Sequence, residues 1–335
     1  MVNTFIKSYI VYIFWVMRVI ERKIQGVGAG SFAVSLPKHW VIKSRLKKNS
    51  PIFLNELGDG SIALFPSKPE LKKTLANFSI KTEEHLSTLG QVMYGAYYLG
   101  AENITVFSEK PISDENRVVA KEVLRHMSGA EIVFEDEKKI VLKVFLDKEK
   151  VDANNVLSRI GLIIQSSLNM CLGSLNVKEI ERNEFEVDRL FHLATKIILL
   201  ASNDYTILQT SGIKNNSFIL SYFLISKKME NIADEIEHIA MSINKSKFDA
   251  QKISKLLSGV KIFIQENVKF PVEFLGRTHA LPTKHEKQKI DEEILAIQEP
   301  AIRISLRSIF RLLYDVQEEM VNLQFYDRLV KEKIL

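Results

Sequence analysis

Apolar residues change their spacing along the chain, and each change marks a different kind of element. From Gly30 they alternate, with Phe32, Val34 and Leu36 set against Ser31, Ala33 and Ser35. That is the period of a strand with one covered face, and Pro37 ends it. A helix-like stretch runs from Lys38 to about Ser44. A strand from Pro51 to Leu57 then turns through Gly58-Asp59-Gly60 into a third, Ser61 to Phe65. About fifty residues of short strands bury little apolar surface alone, so this module calls for a second copy to complete its core.

The pattern then becomes mixed. Helical spacing from Glu84 to Leu99 stops at Gly100, and a strand spans Asn103 to Phe107. Ser113, with Asn116 three residues on, caps a helix that reaches about Met127. Two β-rich runs follow, Ala130 to Phe134 and Lys139 to Leu146, joined by the charged turn Glu135 to Lys138. Beyond Val151 strand signals disappear. Val187, Leu190, Phe191, Ala194, Ile197, Ile198 and Ala201 recur every three or four residues, as do Ile225, Met229, Ile232, Ile236 and Ile239. One-sided stripes of this length predict long helices in a bundle, with further helices near 252–267, 285–298 and 301–331, and a connector over 270–283 that contains Pro271, Gly276 and Pro282. The expected organisation is therefore an α+β multidomain protein: a β module over 17–68, a small α/β domain over 70–148 and a helical domain over 149–335. Residues 1–16 read as an over-extended start, because the ordered pattern begins at Arg18; a weak interfacial anchor is the alternative. The uncharged run from Ser8 to Met17 falls far short of the ~20 residues that span a bilayer.

Composition adds little until charge is located. The 335 residues carry a net +5, with 46 Lys and Arg against 41 Asp and Glu. Nine of those cations but only three of the acids lie in residues 1–67, so the whole positive excess is at the front and the remaining chain is one charge negative. A polyanion would meet that end. Residues 38–48 hold five cations and no acid. Contact with the phosphates of a polyanion is what such density fits, with a solvated basic face on a dimerisation module as the plainer alternative. The single cysteine, Cys171, excludes an internal disulfide and a multi-cysteine zinc site and fits a reducing cytoplasm. Gly26, Gly28 and Gly30 are followed by no helix and no Lys-Ser/Thr pair, so they form no phosphate cradle. His85 and His126 lack an evident chemical companion in the sequence and are expected at the surface.

Two of the long helices repeat one polar pattern: Glu184, Asp188 and His192, then Glu230, Asp234 and His238. Steps of four keep each trio on one slowly turning helix edge. Carboxylates so placed repel, and a cation between two such edges would reverse the sign. Oxygen donors with imidazole suit iron, manganese or zinc; solvated charged faces are the alternative. A ferritin-like di-iron site is excluded, since Glu-x-x-His occurs once, at Glu235 and His238, while Arg189 stands three before His192. No nucleophile–base pair is legible, and the chain is not expected to be an enzyme.

Two resemblances sharpen this reading. The segments Gly30-Ser-Phe-Ala-Val-Ser-Leu-Pro-Lys-His-Trp-Val41, Leu46-Lys-Lys-Asn-Ser-Pro-Ile-Phe-Leu54 and Asp59-Gly-Ser-Ile-Ala-Leu-Phe-Pro66 resemble the AbrB/SpoVT swapped-hairpin DNA-binding domain. That resemblance implies a homodimer formed by hairpin exchange. It also implies contact with double-stranded DNA by Arg22 and Lys23, with Lys38, His39, Lys43, Arg45, Lys47 and Lys48 standing in for family arginines replaced here by Ser31, Val41 and Ile42. Glu186-Val-Asp-Arg-Leu190 and Met229-Glu-Asn-Ile-Ala-Asp234 are similar to the two helix motifs of the PhoU family. This implies an antiparallel helical bundle with metal held by Glu184, Asp188, Glu230 and Asp234, and with His192 and His238 as secondary candidates. The order of modules looks like that of archaeal phosphate-uptake regulators. It implies a cytoplasmic DNA-binding regulator of phosphate homeostasis, or else an adaptor that acts on a phosphate transporter ATPase or a regulatory kinase without touching DNA.

Overall fold

The computed structural model describes residues 20–28, 30–56, 62–67, 76–85, 87–272 and 283–332. Residues 1–16 and the turn at Gly58–Gly60 lie outside them. The chain divides into two compact units, residues 1–73 and 74–335.

Among its described residues the first unit holds two antiparallel hairpins and one short helix. Strands β1 (Gln25–Val27) and β2 (Ser31–Ala33) pair with Gly26 opposite Phe32. Helix α1 (Lys38–Lys43) starts directly after Pro37, whose fixed φ suits a helix entrance. Strands β3 (Phe53–Glu56) and β4 (Ile62–Phe65) pair with Leu54 opposite Leu64. The expected half-buried strand is not covered in the single chain: Phe32 is 79% exposed and Val34 51%. Among its described residues with an assigned exposure, none is buried. The alternation is real, but among the described residues of this unit nothing covers Phe32 or Val34.

The second unit contains two separate hydrophobic cores. In the first, a four-stranded sheet has the order β5 (Asn77–Lys81), β6 (Asn103–Phe107), β8 (Lys139–Val144), β7 (Ala130–Glu135). β5 and β6 run parallel and are joined by α2 (Leu89–Tyr98), while the other pairs are antiparallel. Strand β5 is not evident in the sequence, where only Phe78 and Ile80 alternate. Helix α3 (Asp114–His126) begins at Ser113, whose hydroxyl accepts from Asn116 N. Ile80, Met93, Tyr97, Ile104, Val106, Ile140 and Leu142 fill the space between sheet and helices. Gly129, at φ +75°, lets β7 start against Leu146, where a Cβ would stand 3.0 Å from the Leu146 Cβ.

The second core is helical: α4 (Ala153–Leu172), α5 (Val177–Ala201), α6 (Tyr205–Thr210), α7 (Ile219–Ser246), α8 (Ser254–Asn267), α9 (Lys284–Leu295) and α10 (Pro300–Lys331). Each apolar stripe read from the sequence is buried, including Val187, Ile197, Ile225, Ile232, Ile236 and Ile239. Burial of each such side chain stabilises by roughly 1.5–3 kcal/mol, which fixes the rotation of α5 and α7 about their axes. Start signals are local: Asp152, Asn176 and Asp204 cap α4, α5 and α6, Thr283 and Glu286 form a capping box on α9, and Pro300 opens α10. A polar knot joins three segments, because Tyr222 Oη donates to Asn154 Oδ1 at 2.6 Å and Asn154 Nδ2 donates to the Gly212 carbonyl at 2.9 Å. Helices α2 and α3 of the α/β part both pack against α5.

Candidate functional site

Burying the apolar stripes of α5 and α7 against the same core turns their acidic edges toward one another. Glu184, Asp188, Glu230, Asp234 and Glu237 form one electrostatic cluster. Burial, and then the charges of Glu237, Asp234, Asp188 and Glu230, push the Glu184 carboxyl up to about 7. Burial likewise raises Asp188, Glu230, Asp234 and Glu237 above the usual carboxylate range. Lys227 supplies one counter-charge: its Nζ donates to Glu230 at 2.6 and 2.7 Å and lies 4.9 Å from the centre of the Phe191 ring. A cation bound between these edges would displace the proton from Glu184 and offset the repulsion among its neighbours, and oxygen donors of this kind suit iron or manganese.

The two secondary candidates part company. His192 is buried on α5, with Nε2 3.5 Å from Asp188 Oδ1, and burial followed by the charges of His126 and Lys227 lowers its pKa to about 3. His238 is exposed and lies 3.6 Å from Glu235, outside the His126–Asp188–His192 group.

His126 corrects the expectation of a surface histidine without a companion. Its side chain is 18% exposed, its Nε2 stands 3.4 Å from Asp188 Oδ2, and its ring tilts against Phe185 at 4.6 Å. Tyr94 and Tyr98, one turn apart on α2, reach across as well. Tyr94 Oη is 3.0 Å from His126 Nδ1, and Tyr98 Oη meets His192 Nδ1. Beside them Lys196 Nζ donates to the Tyr97 carbonyl at 2.8 Å, and Arg189 donates to Ser128 Oγ at 2.9 Å. His126, Tyr94 and Tyr98 could not be found from sequence because Asp188 and His192, which draw them together, sit on another domain's helix.

In the first unit Arg22 and Lys23 precede β1, Lys38 and Lys43 lie on α1, and Arg45, Lys47 and Lys48 follow it. All seven are exposed, and none forms an ion pair among the described residues.

Residues 153–243, spanning α4 to most of α7 and hence both acidic edges, match the family model of the PhoU domain. The helical body carries a PhoU domain. Residues 27–72 match the model described as antidote-toxin recognition MazE, bacterial antitoxin, an AbrB-like module at the position where the sequence resembles one. Nothing among curated proteins or solved structures is significantly similar to the chain. The PhoU domain therefore contributes Glu184, Asp188, His192, Glu230 and Asp234, while His126 and both tyrosines come from outside it. No helix among the described residues is long and apolar enough to cross a membrane.

Proposed function

We propose that this protein is a dimeric, DNA-binding transcriptional regulator of phosphate uptake and phosphate homeostasis, acting in the cytoplasm. The observation that carries the reading is the pairing, in one chain, of a PhoU domain with a MazE-type module whose seven front cations are exposed and unpaired among the described residues. Arg22, Lys23, Lys38, Lys43, Arg45, Lys47 and Lys48 contact the phosphates of double-stranded DNA. The uncovered Phe32, Ile42, Leu54 and Ile62 find their core in a second copy, which doubles the cation density. In the PhoU domain, Glu184, Asp188, Glu230 and Asp234 hold a transition ion, iron or manganese in preference to zinc on this oxygen-rich edge. The role is regulatory rather than enzymatic, as it is for PhoU and MazE modules.

Mobility shift of random duplex DNA across a salt series tests the first half. Retardation at low salt should fade steeply as salt rises, and Lys47→Glu with Lys48→Glu should lower the log–log slope by about 0.9 for each phosphate that is no longer neutralised. Metal analysis of an Asp188→Ala, Asp234→Ala double variant tests the second, with reduced iron or manganese expected.

A second reading has one specific observation in its favour. A cavity of about 680 Å³ on the bundle is lined mainly by Tyr98, Ile198, Leu199, Ile219, Leu220 and Phe223, and Leu220 is 66% exposed. Such a surface suits an adaptor that docks a transporter ATPase or a kinase. Unchanged duplex migration at low salt would favour that adaptor over the regulator.

A further inference from the structure

Helix α3 lies in the α/β part, yet the fold brings His126 to the same carboxylate that His192 faces. The two Nε2 atoms stand 3.4 and 3.5 Å from different oxygens of Asp188, and one ligand atom from each of the three residues lies within 4.8 Å of the other two. These separations are long for N–H···O hydrogen bonds, which cluster near ~2.9 Å. They match the gap between neighbouring donors around a small divalent ion, since bonds of ~2.1 Å at tetrahedral angles put adjacent ligands ~3.4 Å apart.

The far nitrogens of both rings are held in the manner that metal-bound imidazoles require. Tyr94 Oη and Tyr98 Oη occupy the two Nδ1 positions, which leaves both Nε2 atoms turned to the carboxylate. The Tyr94 ring also stacks on His192 at 4.0 Å and 6°, fixing the plane of that imidazole. Orientation is therefore supplied before any ion arrives.

We propose that His126, Asp188 and His192 form a divalent transition-metal site, with zinc as the best-fitting ion, that staples the α/β domain onto the PhoU domain. Two imidazoles and one carboxylate are a common zinc donor set and leave a fourth position open. This site shares Asp188 with the acidic edge but needs neither Glu184, Glu230 nor Asp234, and one ligand lies outside the PhoU match. Because the three donors meet only when α3 packs on α5, ion binding and domain docking stabilise each other. Metal availability would thus set how firmly the α/β part is held.

The full-length protein, stripped with a chelator and titrated with Co²⁺, tests the proposal. Visible d–d bands of a four- or five-coordinate ion should appear and be displaced by zinc. His126→Ala and His192→Ala should each weaken zinc binding by at least ~100-fold, and Glu230→Gln with Asp234→Asn should leave it in place. Tyr94→Phe keeps the stacked ring and removes only the hydroxyl, so it should weaken zinc by about tenfold with an unchanged metal-free melting curve. Should a histidine variant fail to fold, the wild-type and Tyr94→Phe titrations decide. Absence of bands in the wild-type protein, or bands that persist in folded His126→Ala, would overturn the site. Bands lost in the Glu230, Asp234 double variant but kept in His126→Ala would place the ion on the acidic edge instead.

Discussion

Replacing Glu184 by Gln should remove a pH-dependent weakness from the metal-free protein. The unfolded carboxyl titrates near 4.5, whereas burial and four neighbouring carboxylates push it up to about 7 in the fold. Between those values the folded chain keeps a proton that the unfolded chain has released, so stability falls as pH rises. The contribution is complete below the lower value and lost as pH climbs through the upper one. A shift of this size corresponds to ~3 kcal/mol, and solvent around a half-buried group reduces that to roughly 1–2 kcal/mol. Glutamine has nearly the same shape and never ionises. Urea unfolding of chelator-treated wild type and Glu184→Gln from pH 4.5 to 8.5 should give similar stabilities at the acid end. At pH 8 the variant should be more stable by ~1–2 kcal/mol. Added iron or manganese should narrow or invert the difference, because an ion favours the ionised form. A gap that does not change with pH, or a variant that is weaker at pH 8 without metal, would refute the reasoning.

Other substitutions test separate parts of the fold. Asp327→Ala should destabilise by ~2–3 kcal/mol in thermal or urea unfolding, since its side chain is 1% exposed and meets Lys214 Nζ at 2.6 Å and Lys331 Nζ at 2.9 Å, both lysines keeping some solvent. Gly212→Ala should cost ~2–3 kcal/mol, because φ is +77° and a Cβ would stand 2.3 Å from Asn154 Nδ2 and 2.7 Å from Asp152 Oδ1; a melting temperature equal to wild type would contradict it. Tyr222→Phe deletes the 2.6 Å bond to Asn154 and should lower stability by ~1–1.5 kcal/mol in urea unfolding. Burial lowers Lys196 to about 8, so between that value and its ordinary 10.5 the unfolded chain binds more protons and stability rises with pH, by ~3 kcal/mol over the window. Lys196→Met should abolish that rise relative to wild type, as read from paired denaturation curves at pH 8 and pH 10.

Elements whose cause is local are legible in the sequence. Ser113 three residues before Asn116, Pro300 at a helix start and the stripes through Ile197 and Ile236 depend on neighbours within a turn or two, and the helices lie where that chemistry puts them. Strand Asn77–Lys81 is not, because two alternating apolar residues are too few to show a period, and its stability comes from pairing with Asn103–Phe107.

The acidic repeat is visible as a pattern, and the chain alone determined its order: Glu184 and Asp188 on one helix, Glu230 and Asp234 on another. Which edges would meet was decided only by tertiary packing, once the apolar stripes fixed the rotation of α5 and α7. The same packing separated His192 from its sequence twin His238 and brought His126 to Asp188 from another domain. Periodicity and capping are properties of a few adjacent residues, whereas a site whose donors lie far apart in the chain exists only after burial of unrelated side chains has set the angles between elements.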